Sequence, residues 1–258
     1  MAVAYEGMSF MPGANRFAPS RKQDRNFFLL IVALIWFGIL MGFVPELIHH
    51  YHSDEAPYTW VMPYHGAAFV GWLTLFTVQV LLARAGAMRV HRTLGLIAVG
   101  LVPAMVVLGT MAAFISERRD LGTPAGDPAF MSLMLGDMVA FAGIASAGLL
   151  MRGTPTAHKR LMLLSTIMLA DAGFGRWWQP PLHRMLGDGA WQFWVENYLG
   201  PILLILALGA YDFATRGRLH PAYVWGAAWL FGIELVASFL YVSPWWTNVA
   251  TGLITTYG

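Results

Sequence analysis

Cysteine is absent from the 258 residues. That absence excludes disulfide scaffolds, thiolate zinc sites, iron–sulfur clusters, covalently attached c-type haem and cysteine nucleophiles. Charge is scarce too: 12% of residues are Asp, Glu, Lys or Arg, where soluble domains carry about a quarter. A formal net charge of +2 leaves no basic face of the kind that gives nucleic-acid affinity, so no nucleic-acid partner is expected. Lysine occurs only at Lys22 and Lys159, neither in a seventh helix, which excludes a retinal Schiff base. No Gly-rich phosphate loop, Gly-x-Ser-x-Gly elbow or His-Glu-x-x-His helix is present.

What the chain has in abundance is apolar sequence: 57% of it is hydrophobic. A helix needs roughly 20 apolar residues to cross the hydrocarbon core, and about seven stretches satisfy that. They run Phe27–Ile48, Thr59–Ala83, Leu94–Ile115, Phe130–Met151, Leu161–Trp178, Tyr198–Thr215 and Tyr223–Tyr241. Connectors are short, so neighbouring spans should pack antiparallel in one bundle. The expectation is an all-α integral membrane bundle of about seven transmembrane helices. Its parts are an N-terminal cytoplasmic segment 1–26, a transmembrane domain 27–243 and an outer tail 244–258. Segment 1–26 shows no secretory-signal pattern, so the first span is expected to direct insertion.

Basic residues set the orientation, because Lys and Arg stay on the cytoplasmic side. With the N-terminus inside, the inner segments carry Arg16, Arg21, Lys22 and Arg25, then Arg84, Arg89 and Arg92, then Arg152, Lys159 and Arg160, then Arg216 and Arg218. Arg118, Arg119, Arg176 and Arg184 fall outside. Twelve against four predicts an inside N-terminus and an outside C-terminus, with Trp245 and Trp246 as interfacial anchors. This topology suits a multi-pass protein of a bacterial inner membrane, with the lipid bilayer as its standing partner.

Ionisable residues inside spans are expensive in hydrocarbon and mark candidate sites. His65, Asp137, Asp171 and Glu234 lie on four different spans within the outer half of the bundle. The three carboxyls are candidate catalytic or proton-accepting groups. Internal ion pairing, such as Asp171 with Arg176, is the plainer reading of the same residues. At the outer end of the first span, Glu46, His49 and His50 are spaced i, i+3 and i+4, which puts them on one helical face. Together with His65 they form a candidate transition-metal set, since imidazole and carboxylate are the strong ligands available without cysteine. A solvated His-rich loop is the alternative. On the fourth span, Gly136, Ala140, Gly143 and Ala147 form a small-residue face that predicts a tight helix crossing beside Asp137.

A second pattern lies at the inner surface, where His91, His158 and His220 each stand beside basic residues. A pair of them is a candidate ligand set for a b-type haem, with neighbouring Arg and Lys for its propionates. Headgroup contact and snorkelling would favour the same residues at helix ends. Asp212 is placed to orient an imidazole or offset charge.

The runs His91-Arg92-Thr93-Leu94-Gly95, His158-Lys159-Arg160-Leu161-Met162 and Tyr211-Asp212 through Arg216-Gly217-Arg218-Leu219-His220-Pro221 resemble signatures of uncharacterised multi-span bacterial inner-membrane proteins. That resemblance covers most of the chain from His65 onward and implies a membrane bundle with no named activity. A looser similarity links the chain to two-haem transmembrane b-type cytochromes, which place histidines at helix ends near both faces. The functional expectation is a membrane-embedded redox or metal-dependent protein with its site in the outer half of the bundle, holding a transition metal or haem b and serving a small-molecule or redox partner. The alternative is a cofactor-free transporter or accessory protein with a buried proton-handling carboxylate network.

Overall fold

A computed structural model describes residue 17 and residues 22–54 and 57–258. Arg16, Arg21 and nearly all of the expected segment 1–26 lie outside the described residues, as do residues 55 and 56. The chain is all-helical, 87% helix, with no strand among the described residues.

The long helices are α1 (Lys22–His52), α2 (Val61–Ala85), α4 (Ile97–Asp120), α5 (Met131–Leu150), α8 (Ala190–Arg216) and α9 (Pro221–Tyr241). A short α3 (Met88–Leu94) leads into α4 through a turn at Gly95 and Leu96. The six segments built on these helices are long and apolar enough to cross a membrane, which makes this a multi-pass membrane protein. Their outward faces remain apolar, as at Leu30, Phe37 and Leu40 of α1 and Val236 and Phe239 of α9, because those faces meet lipid and not water.

The fifth expected span, Leu161–Trp178, is not one long helix. It is divided into α6 (Pro155–Met168) and α7 (Asp171–Leu186), separated by a turn at Leu169 and Ala170. α6 is the centre of the molecule: every residue from Arg160 to Met168 is buried, with α5, α8, α9 and α1 packed around it. A helix surrounded on all sides shows no amphipathic stripe, and its sequence is accordingly apolar through most of that stretch. α7 carries Asp171, Arg176, Gln179, Pro180 and Pro181, too polar for a span by composition alone.

Two crossings bring backbones together. A Cβ at Gly173 of α7 would lie 2.6 Å from the Gly38 carbonyl oxygen of α1, so only glycine permits this approach. On α5 the expected small-residue face meets α9: a Cβ at Gly143 would touch the Trp229 ring at 3.0 Å, and the Trp229 indole donates to the Ala140 carbonyl at 3.3 Å. The expected outer tail 244–258 is also ordered. It contains α10 (Pro244–Tyr257), whose Ala250 and Ile254 bury against Met131 while Trp246 donates to the Ala129 carbonyl. Trp245 is 64% exposed.

Candidate functional site

Three assemblies of polar residues occupy the bundle. At the end where α1 and α6 begin, a cleft opens between α1, α2, α3 and the starts of α4 and α6. About 980 Å³ there is unfilled by protein, part of it open to the exterior. Its walls are Phe28, Trp72, Leu75, Phe76, Val80, Ala98 and Met162, and its rim carries Arg25, Arg84 and Lys159.

His91 and His158 project into this cleft from α3 and α6. Their ring centres lie 6.3 Å apart and their planes are perpendicular. Each Nδ1 donates to a main-chain carbonyl, His91 to Gln79 at 3.2 Å and His158 to Gly148 at 2.8 Å. Those bonds put a proton on each Nδ1 and fix how the rings are turned, as backbone carbonyls do for ligating histidines. Gly95 shares the cleft, and a Cβ there would approach the Gln79 amide nitrogen at 3.3 Å. Both polar atoms of the Gln79 side chain are buried with no hydrogen-bond partner among the described residues, although the cleft is otherwise nearly apolar.

The second assembly adjoins the first. Asp24, on the first turn of α1, accepts from Lys159 at 2.8 Å, from Tyr211 at 2.8 Å and from both Arg216 bonds at 2.7 and 2.6 Å. Arg160 grips Asp212 at two points, Nε to Oδ2 at 2.6 Å and Nη2 to Oδ1 at 2.5 Å, with both side chains 1% exposed. Arg216 links the two carboxylates by a further bond to Asp212 at 3.2 Å. Phe17 presents its ring to the guanidinium groups of Arg160, Arg216 and Arg218.

His220 belongs to this assembly and not to the cleft, which corrects its expected place among the haem-ligand candidates. It caps α9: its Nδ1 accepts the Ala222 backbone N–H at 3.0 Å. Burial, reinforced by the neighbouring Arg160 charge, pushes its imidazole from the ordinary value near 6.5 down to about 4. A neutral ring is the form that can accept the cap bond.

The third assembly is the carboxyl group of α5, α7 and α9. Asp137, Asp171, Glu234 and Tyr198 are close enough to interact electrostatically, and Asp171 Oδ2 and Glu234 Oε2 are buried without a hydrogen-bond partner among the described residues. Asp171, Glu234 and Tyr198 are 5%, 5% and 2% exposed, and the Tyr198 hydroxyl has no hydrogen-bond partner among the described residues. The expected pairing of Asp171 with Arg176 does not form. Arg176 directs its Nε to Glu46 of α1 and an Nη1 to the Ala172 carbonyl, while Asp171 accepts the Ala172 N–H at 2.6 Å.

The expected metal set is likewise not assembled, since no group of three His, Asp or Glu suited to a metal ion occurs among the described residues. Glu46 is taken by Arg176, the His50 ring stacks on Tyr58 at 3.8 Å, and His49 is exposed. His65 lies half-buried against Phe69, and its Nδ1 has no hydrogen-bond partner among the described residues. Asp24, Gln79, Tyr198 and Phe17 belong to these assemblies without having stood out in the sequence. A lone Asp among Lys22, Arg25 and the start of an apolar run was the available signal for Asp24; nothing local marks the others. No protein-family model, curated protein or solved structure matches this chain.

Proposed function

We propose that this protein is a membrane-embedded redox protein holding haem b between His91 and His158, in the half of the bundle that carries the basic loops. The supporting observation is the spacing of the two imidazoles. The ring centres of His91 and His158 lie 6.3 Å apart in one cleft, and these two residues would hold the group. Two histidines share the cleft, and a porphyrin would bring the other ligands of its own iron. The aromatic and aliphatic walls suit a macrocycle, and Arg25 and Arg84 at the rim suit its propionates. When bound, such a group supplies one-electron chemistry.

The reading includes seven crossings with the N-terminus on the cytoplasmic side of a bacterial inner membrane. α6 opens beside Asp24 through Lys159, and α7 reaches Glu46 through Arg176. Those two α1 residues are 22 positions apart, about 33 Å along a helix, which is roughly the thickness of the hydrocarbon core. The broken pair α6–α7 thus does the work of the fifth span.

The test is the absorption spectrum of the protein purified from haem-sufficient cells. A Soret band with about one haem per chain is expected, lost in His91→Ala and in His158→Ala and kept in His220→Ala and His65→Ala. A colourless, folded preparation overturns the reading. In that event the carboxyl assembly supports the second one, a cofactor-free transporter, because Asp171 and Glu234 are buried carboxyls, each with an oxygen that has no hydrogen-bond partner among the described residues.

A further inference from the structure

The assembly around Asp24 and Asp212 has two more cations than carboxylates, and two donors without acceptors, among the described residues. Four cations, Lys159, Arg160, Arg216 and Arg218, meet two carboxylates. All four carboxylate oxygens already accept: those of Asp24 from Tyr211, Arg216 and Lys159, those of Asp212 from Arg160 and Arg216. Two donors are left over. Because His220 Nδ1 accepts from the Ala222 N–H, its proton sits on Nε2, and that N–H is buried without an acceptor on a side chain that is 0% exposed. Arg218 Nη2 is also buried with no partner among the described residues. Phe17 touches both residues, its ring 4.6 Å from the His220 ring and 5.4 Å from the Arg218 guanidinium carbon, so the two donors flank one side chain. Buried cations and buried N–H groups without acceptors are costly, and a native structure supplies the missing partner.

We infer that His220 and Arg218 form an oxyanion site beside Phe17 that takes a phosphate group. Phosphate supplies several strong acceptor oxygens to a planar guanidinium and offsets the excess positive charge. The site is separate from the His91–His158 cleft and does not depend on haem. Its phosphate comes from one of two sources, a free ion or the headgroup of an anionic phospholipid at the membrane surface.

The experiment uses the full chain in a neutral detergent after exhaustive delipidation. Binding is followed by the shift in thermal unfolding against inorganic phosphate, with sodium chloride at equal ionic strength as control, and against phosphatidylglycerol, with phosphatidylcholine as control. Stabilisation by inorganic phosphate alone supports the site with a free-ion ligand. Stabilisation by phosphatidylglycerol alone supports it with a lipid ligand, and both together support the shared chemistry. In each case Arg218→Gln should weaken the effect about tenfold in apparent affinity, since it removes a charge-assisted bond. His220→Asn keeps a side-chain oxygen able to cap α9 while changing the Nε2 donor, and should weaken binding without unfolding the protein. Equal unfolding temperatures in both ligands and both controls overturn the proposal, as do undiminished shifts in the two variants.

Discussion

Arg160 and Asp212 hold one another by two parallel hydrogen bonds in a place where each side chain is 1% exposed. Removing one partner leaves the other charged and buried, which is the expensive state; removing both leaves a hole of nearly neutral character. Asp212→Ala should therefore lower stability by about 3–5 kcal/mol. Arg160→Met combined with Asp212→Leu should cost clearly less than the two single changes added together. Thermal unfolding of the four proteins in one detergent checks the cycle, and additive losses would show that the pair is not coupled.

The Gly173 approach gives a packing prediction. A methyl group there meets the Gly38 carbonyl and the Ile39 backbone at 2.6 Å, and backbone cannot swing aside as a side chain can. Gly173→Ala should destabilise by about 1–3 kcal/mol or more by forcing α1 and α7 apart. Gly71→Ala on α2, where an added Cβ meets nothing within 4 Å, should be neutral or slightly stabilising. Equal melting temperatures for the two variants would contradict the close crossing.

His220 makes stability depend on pH with a definite sign. Its folded value, near 4, lies below the ordinary 6.5, so the unfolded chain binds the proton more readily. The contribution of the neutral ring is complete above 6.5 and is lost as pH falls through the interval down to 4. The loss is at most about 3.5 kcal/mol, because each tenfold difference in proton affinity is worth about 1.4 kcal/mol. An unfolding series between pH 7 and pH 4 should slope less steeply in His220→Asn than in the native sequence; parallel slopes would assign the acid sensitivity to other groups.

Orientation can be read with a reporter. Fused after Gly258, alkaline phosphatase should be active and green fluorescent protein dark, as the twelve-to-four distribution of basic residues and the proposed seven crossings require. The reverse pattern would place the His91–His158 cleft on the opposite side of the membrane.

Membrane class and helix content were legible in the sequence because they depend on local quantities: apolar run length, sparse charge and the absence of cysteine. Six of the seven expected spans correspond to helices of the bundle for that reason. The division of Leu161–Trp178 was not legible, since the turn at Leu169 and Ala170 has no proline and is set by how α6 is enclosed while α7 turns toward α1. The three histidines of the inner surface looked alike in sequence, each beside Arg or Lys. Tertiary packing separated them, bringing His91 and His158 to one cleft through main-chain carbonyls of Gln79 and Gly148, and binding His220 into the cap of α9. The same holds for the acids. Asp24 falls in the expected N-terminal segment 1–26, yet contacts with residues 135 and 192 positions away bury it as the hub of an ion network. Sequence determined which residues are too polar for lipid and must turn inward; which of them meet inside depended on helix rotation and depth, quantities fixed only when all the helices pack at once.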